Sequence, residues 1–438
     1  MSKFIVAICV GTILTIGVFT RFVGLAHVPA NIQPDAIDTL RMYLEHRHNQ
    51  DFSFFSTNWN GVHIFNQLFI AVPWEVAGES YWGVNLGPAV VSILCSLLLF
   101  ALLRKTTKST TIAFATAMLL LLDLWFLNFS RNGWENIANC LGVIALLYCA
   151  LLPRQNNKIR LSVLFVTTIV SPYLYHPGKV IAMAALAMLF SGLLKIHFEK
   201  KKKIQRLLLA GFCIGFCWLP LLLIPGRTQL GRIETVSVLN QPNSMETIKE
   251  NLIQNVKGFL LFDAMDWSVG TNSRYLPLDG FVLHPLLILL FLVGVLYMLK
   301  KRWQVVALGI FLLMPINVLS RNTPDAARSV HMLPFLYVMI ASGMVAIRNG
   351  CRRLPTWKVA STFRFSLLFD GLFLVGVALF CVYQWQNYWQ WIQRPDILQV
   401  RQPAVAVDEY DRWLRDTKKQ IEETRHSLSL YEWRAQLE

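Results

Sequence analysis

Charge is scarce in this chain. Only 15% of its 438 residues are Asp, Glu, Lys or Arg, 55% are hydrophobic, and the mean hydropathy is +0.45. A soluble protein of this length would need more polar surface, so the class is integral membrane. Cysteine chemistry is equally thin. None of the eight cysteines falls in a CxxC pair, and all lie in apolar runs or basic loops. Neither a cysteine metal site nor a disulfide framework is expected. There is no internal repeat and no low-complexity stretch. The first apolar run is followed by no small-x-small cleavage motif before Pro29, so it reads as a retained anchor rather than a signal peptide.

What is present is a series of apolar runs, most long enough to cross a hydrocarbon core of about 30 Å as helices. They cover roughly 4–20, 82–103, 110–128, 136–152, 160–174, 178–194, 206–224, 281–299, 303–319, 331–347 and 366–384. The expected fold is therefore an all-α bundle of about eleven transmembrane helices. One set of connecting loops holds twenty-one basic residues against a single acid, Glu199. That asymmetry makes those loops, and the N-terminus, cytoplasmic. The formal charge of +15 is thus a topology signal and not a nucleic-acid patch. The bulk of the polar chain falls on the outer side: loops 21–80 and 225–280, and a tail from 386 to 438 beyond a membrane domain of 1–385.

Several outer segments have character of their own. Residues 35–48 and 244–260 carry apolar side chains at helical spacing and read as amphipathic helices on the membrane surface. The tail "DEYDRWLRDTKKQIEETRHSLSLYEWRAQ" reads as a solvated helix of mixed charge. The aromatic run "VYQWQNYWQWI" reads as an interfacial belt or as a sugar-stacking platform.

Positive charge is disfavoured in short outer loops. Yet Arg21, Arg131, Lys179, Arg274, Arg321 and Arg328 sit at outer span ends. Each alone could be a snorkelling side chain. Together they suit a phosphate held at the outer leaflet, since a guanidinium presents a permanently charged planar fork. Their contexts add candidate substrate contacts. "NFSRNGWENI" follows Arg131 with Trp134 and Glu135. "SPYLYHPGKV" groups Tyr175, His176 and Lys179 in a tight hairpin. "SRNTPDAARSVHMLP" groups Arg321, Asp325, Arg328 and His331. A helix starting near Pro324 puts Arg328 and His331 on one face, with Asp325 as a dipole partner. Asp123 lies inside a span near its outer end, as a functional acid or as the partner of a nearby Arg. In "IQPDAIDTLRMY", Asp35 and Asp38 open an outer helix. Asp35 reads either as the helix N-cap, with Asp38 at the third helical position, or as a reacting carboxylate.

The order of these features resembles the GT-C superfamily of membrane glycosyltransferases, and most closely its protein-mannosyltransferase-like and aminoarabinose-transferase-like branch. The residues that carry the resemblance are an Asp in the first outer loop, "FSR" closing the third span, a Tyr-rich basic hairpin, "SRYLPLDGFVLHPLLILLFLVGVLY", and an Arg-containing loop followed by "LP". The resemblance runs over roughly residues 1–385. It implies a polyprenyl-phosphate sugar as donor, used outside the cytoplasm, and a catalytic acid that maps onto Asp35. Many members have Asp-Glu there, whereas this chain has Asp35-Ala36. Asp38, one turn on, is then the substitute partner, and the claim for a divalent metal weakens. No cofactor is required.

The expected protein is a hexosyl- or pentosyltransferase of the bacterial inner membrane, with its C-terminus periplasmic. It moves sugar with inversion from the lipid-linked donor to a hydroxyl of a lipid, glycan or protein acceptor. Its other partners are membrane lipids, not nucleic acid. Two other readings remain. A lipid-sugar flippase would need polar groups at midspan, broken helices and an internal repeat. An oligosaccharide ligase would use Arg321, Arg328 and His331 without the acid in the first outer loop.

Overall fold

The computed structural model describes residues 3–32, 34–50, 64–152, 157–195, scattered positions between 204 and 219, 237–260, 283–321, 323, 325–351, 362–395 and 405–435. The described elements are helical. The only extended pairings among them are two isolated bridges, Asn31 with Ala406 and Ser237 with Ser320.

The bundle is built on α1 (Lys3–Phe22), α4 (Gly83–Thr107), α5 (Thr110–Leu121), α7 (Asn139–Leu151), α8 (Asn157–Val170) and α9 (Pro177–Lys195). It is completed by α11 (Pro285–Leu313), α13 (Leu333–Cys351) and α14 (Thr362–Ile392). These segments are apolar with few charges, so in lipid their backbone groups must be satisfied within each helix. Three described stretches are long and apolar enough to cross a membrane: Lys3–Phe22, Gly83–Thr107 and Ala326–Gly350. Thr110–Leu121, Glu135–Leu151 and Pro177–Ser191 are apolar but shorter.

One expected span is interrupted, and one expected boundary between spans is kept. The run 110–128 breaks at Leu122 and Asp123 into α5 and the short α6 (Leu124–Phe129). Arg302, with φ −155° and ψ 61°, divides α11 where two spans were expected. The α11–α13 crossing depends on small residues. A Cβ on Gly294 would collide with the backbone of Met339 and Gly343, and one on Gly343 with the Leu290 carbonyl. Two helices approach this closely only where neither carries a side chain.

The two ends of the bundle differ. At one end Arg348 bonds the Ser109 hydroxyl at 2.8 Å and pairs with Asp370 at 3.1 Å. There too Arg302 donates to the carbonyls of Ala150 and Leu151. These belong to the basic loops. The opposite end carries α2 (Pro34–Asn49), α3 (Ile64–Val76), α10 (Ser244–Leu260), α12 (Ala326–Ser329) and α15 (Tyr410–Ala435).

Several expectations for this second end are refined. The apolar face of helix α2 is covered by protein. Leu40, Tyr43 and Leu44 are buried in a small core of their own with Ile70, Trp74 and Tyr410, so α3 and α15 cover it. The tail helix keeps an exposed charged face, as expected, but its apolar stripe is covered. Tyr410 is 1% exposed, and Trp413, Leu414 and Ile421 pack on the same core. The segment that leads into α15 bonds the chain just before α2: Ile32 N–H donates to the Val405 carbonyl at 3.0 Å, and Val407 N–H to the Ala30 carbonyl at 2.9 Å. Lys418 and Arg47 both reach Glu79. Burial pushes the Glu79 carboxyl up, but these two cations outweigh it and hold it below its usual range. Tyr43, buried and donating to Glu75, is pushed up to about 12 by burial and by that carboxylate.

The aromatic run turns inward as well. Tyr388, Trp391 and Ile392 are buried with Leu124 and Leu127. Helix α10 is amphipathic as expected, with its polar side inward. Asn251 donates to the carbonyls of Val318 and Ser320, each at 2.9 Å, while Met245, Leu252, Ile253 and Val256 are exposed.

Candidate active site

The site begins at the first turn of α2. The helix starts at Pro34, which suits the first helical position because its missing N–H is not needed there. Asp35 is therefore the second helical residue and not the cap, and Asp38 lies a full turn in. Both are half-buried. Ala36, between them, is fully buried.

Ala36 rests on the turn after α6. Gly133 there has φ +74°, and a Cβ on it would meet Val84 at 2.9 Å, the Asn85 amide oxygen at 3.1 Å and Ala36 at 3.3 Å. Only glycine fits both the left-handed backbone and the space. The turn "RNGW" thus brings the Asp35–Asp38 helix against the start of α4. The next residue, Trp134, is 1% exposed, stacks on Phe129 at 5.4 Å and meets the edge of Tyr175 at 6.0 Å. Tyr175 contacts His176 at 5.0 Å. Lys179 follows two residues after Pro177. It is half-buried, and among the described residues its ammonium has no ion pair.

Beyond Glu135, which is buried, Asn136 donates to the Ala327 carbonyl. That bond ties the 131–138 turn to the Arg328 loop. Asp325 caps α12 by accepting from the Arg328 N–H at 3.0 Å, and it pairs with the Arg328 guanidinium at 3.2 Å. Its position is a cap and counter-ion, as the dipole reading suggested. The helix starts at Ala326, two residues later than expected, and Arg328 and His331 remain three apart within the helical run 326–332. Arg328 is partly exposed, and His331 is fully buried. Arg321 is exposed, and its carbonyl accepts from Arg328. Arg274 lies outside the described residues.

Arg131 sits in a position poorly suited to a donor phosphate. It is fully buried. One terminal nitrogen donates to the carbonyls of Thr20 and Arg21, the other to those of Val23 and Val28, at 2.8 to 3.0 Å. These carbonyls lie at and just beyond the C-terminus of α1, where helix acceptors are otherwise orphaned and the dipole is negative. The rings of Tyr388 and Trp389 lie 5.7 and 5.4 Å from the guanidinium carbon, within cation–π range. Arg21 is buried too, bonded to Ser92 and Thr20. Asp123 pairs with neither arginine by hydrogen bond. It caps α6 through the Phe126 N–H and accepts from the Tyr337 hydroxyl at 2.8 Å.

Sequence reasoning missed two asparagines at this turn: Asn85, whose side-chain oxygen lies beside Gly133, and Asn132, the chain neighbour of Gly133, both 1% exposed. Asparagine in an apolar run carries little signal by itself. Its meaning comes from a turn that only the folded chain closes. Among the described residues, no three His, Cys, Asp or Glu side chains come together as metal ligands.

Residues 64–219 match the family model described as dolichyl-phosphate-mannose-protein mannosyltransferase. No curated protein matches the chain. Among solved structures, the chain is similar to ArnT from Cupriavidus metallidurans bound to undecaprenyl phosphate. That likeness has 15% identity and a TM-score of 0.49, over 94% of this chain and 76% of that one. Its apo form aligns at 12% identity and a TM-score of 0.33, over 77% of each chain. Both scores lie below 0.5, so the architecture above rests on the chain's own helices. Across residues 64–219, which include α4, the Gly133 turn and the Lys179 hairpin, the chain is thus similar to the membrane glycosyltransferases of the GT-C superfamily that its motifs resemble.

Proposed function

We propose that the chain transfers a sugar from a polyprenyl-phosphate donor to an acceptor hydroxyl at the extracytoplasmic face of the membrane. Asp35 acts as general base, with Asp38 as its helper. The base takes the acceptor's proton as the hydroxyl oxygen attacks the anomeric carbon. The bond to the lipid phosphate breaks on the opposite face, and its electron pair leaves with the phosphate. The product has inverted configuration. Lys179 and Arg328 are the cations that hold the leaving phosphate as its charge develops. Trp134, Tyr175 and His176 line the substrate side. Arg131 is assigned to the scaffold.

The observation that carries this reading is the packing of Ala36 on Gly133. It seats the start of α2 on the turn whose Trp134 meets Tyr175 and whose Asn136 bonds the Ala327 carbonyl. The matched family's description names a polyprenyl-phosphate sugar, which supports the donor class. The basic loops at the other end of the bundle support an outer location for this one.

The test is transfer from a defined polyprenyl-phosphate sugar in proteoliposomes. Asp35→Asn is expected to lose roughly 10²-fold or more in rate, the usual contribution of a positioned base. Wild-type rate in that variant removes Asp35 from the mechanism.

A further inference from the structure

Two buried carboxamides beside the carboxylate helix have no work in the apo fold. Asn85 and Asn132 are each 1% exposed. Among the described residues, neither the amide nitrogen nor the carbonyl oxygen of either side chain finds a hydrogen-bond partner. Buried polar atoms are almost always bonded, and an unbonded one destabilises the fold. Four such atoms, on Asn85 beside Gly133 and on Asn132 next to it in the chain, call for an occupant.

Their location says which kind. The Asn85 oxygen lies 3.1 Å from where a Gly133 Cβ would be, and Ala36 lies 3.3 Å from the same point. Asn132 is the neighbour of Gly133, and Ala36 is the neighbour of Asp35. Asn85 therefore sits against the turn that carries the start of the carboxylate helix, and Asn132 belongs to that turn. A carboxamide offers donors and an acceptor and carries no charge. That pattern matches hydroxyl groups, which also both give and accept. It does not match a phosphate, which wants cations and is served by Lys179 and Arg328.

We propose that Asn85 and Asn132 read hydroxyl groups of the donor sugar, and so set which sugar is accepted. This rests on the lipid-phosphosugar reading given above. The pair are binding residues beside the base, and the apo fold holds them unsatisfied until sugar enters.

The experiment compares binding of bare polyprenyl phosphate with polyprenyl phosphate carrying a hexose, a pentose or an amino sugar, on purified full-length protein. The wild type is expected to bind the best sugar-bearing lipid more tightly than the bare lipid. Asn85→Leu and Asn132→Leu are expected to shrink that gap by roughly tenfold each, since each removes about one net hydrogen bond, while bare-lipid affinity stays unchanged. Their melting temperatures without ligand are expected to equal or exceed wild type, because an apolar side chain of similar size removes unpaired groups. Asn85→Ala and Asn132→Ala, which cannot clash, are expected to show the same loss of the gap. An unchanged gap in folded variants overturns the proposal. So does a lower melting temperature in both the leucine and alanine variants, which would mean that the amides bond structural water. A wild type that binds bare and sugar-bearing lipid equally also overturns it, and leaves the lipid-phosphate reading standing. Failure of the wild type to bind any of these lipids removes both.

Discussion

Replacing Arg131 separates a scaffold role from a ligand role. The side chain closes four carbonyl bonds at the end of α1 from a fully buried position. Hydrogen bonds from a charged donor contribute about 1.5–3 kcal/mol each, but the four share one group and do not add. Leaving buried carbonyls without a donor costs about 1–3 kcal/mol each. Arg131→Lys keeps the charge and loses the planar fork, so one ammonium cannot reach the carbonyls bonded by both terminal nitrogens. A loss of about 3 kcal/mol is expected, which lowers the melting temperature of a chain this large by roughly 5 °C. Thermal unfolding of detergent-solubilised protein measures the shift. Donor KM, taken on the fraction that remains folded, is expected to be unchanged. A variant with wild-type melting temperature and weakened donor binding would refute the reasoning and return Arg131 to the phosphate.

Other consequences follow from single contacts. Glu79 has a depressed carboxyl, held by Lys418 and Arg47. Its contribution is full above the unfolded carboxylate range and is lost as pH falls through the lower folded value. The docking of α15 on α2 is therefore expected to loosen below about pH 4. Hydrogen exchange over 410–425 should show the step, and Glu79→Gln should abolish it. Gly343→Val forces a side chain into the Leu290 carbonyl, which cannot rotate away. A loss of about 3 kcal/mol, at the upper end of overpacking costs, is expected. Gly350→Ala, with open space around it, is the neutral control; equal melting temperatures for the two variants would contradict the tight crossing.

Much of the site was readable because its signals are local. A charged residue in a chain this apolar stands out, so Asp35, Arg131, Lys179 and Arg328 could be found by position alone. The roles of the arginines could not. A guanidinium at a span end looks the same in sequence whether it faces a phosphate or four carbonyls, and only the path of α1 past the Arg131 turn distinguishes them. Of the two readings of Asp35, the N-cap falls away because Pro34 is itself an excellent first helical residue and starts the helix one position earlier.

The sequence by itself determined the class of the molecule. Apolar runs must be helical in lipid, because no water is there to bond an open backbone. The asymmetry of Lys and Arg then sorted the loops into two sets, and the structure gathers members of each set at opposite ends. Tertiary structure alone decided what the polar outer segments do. Helix α2 and the tail each look like surface helices, because each carries one apolar stripe and one charged face. An apolar stripe records only that something covers it. In the folded chain α2 and α15 cover one another, through Tyr410, Leu40 and the strand-like pairing of 405–407 with 30–32. That long-range closure holds the carboxylate helix at the end of the bundle, against a glycine turn that no periodicity in the sequence announces.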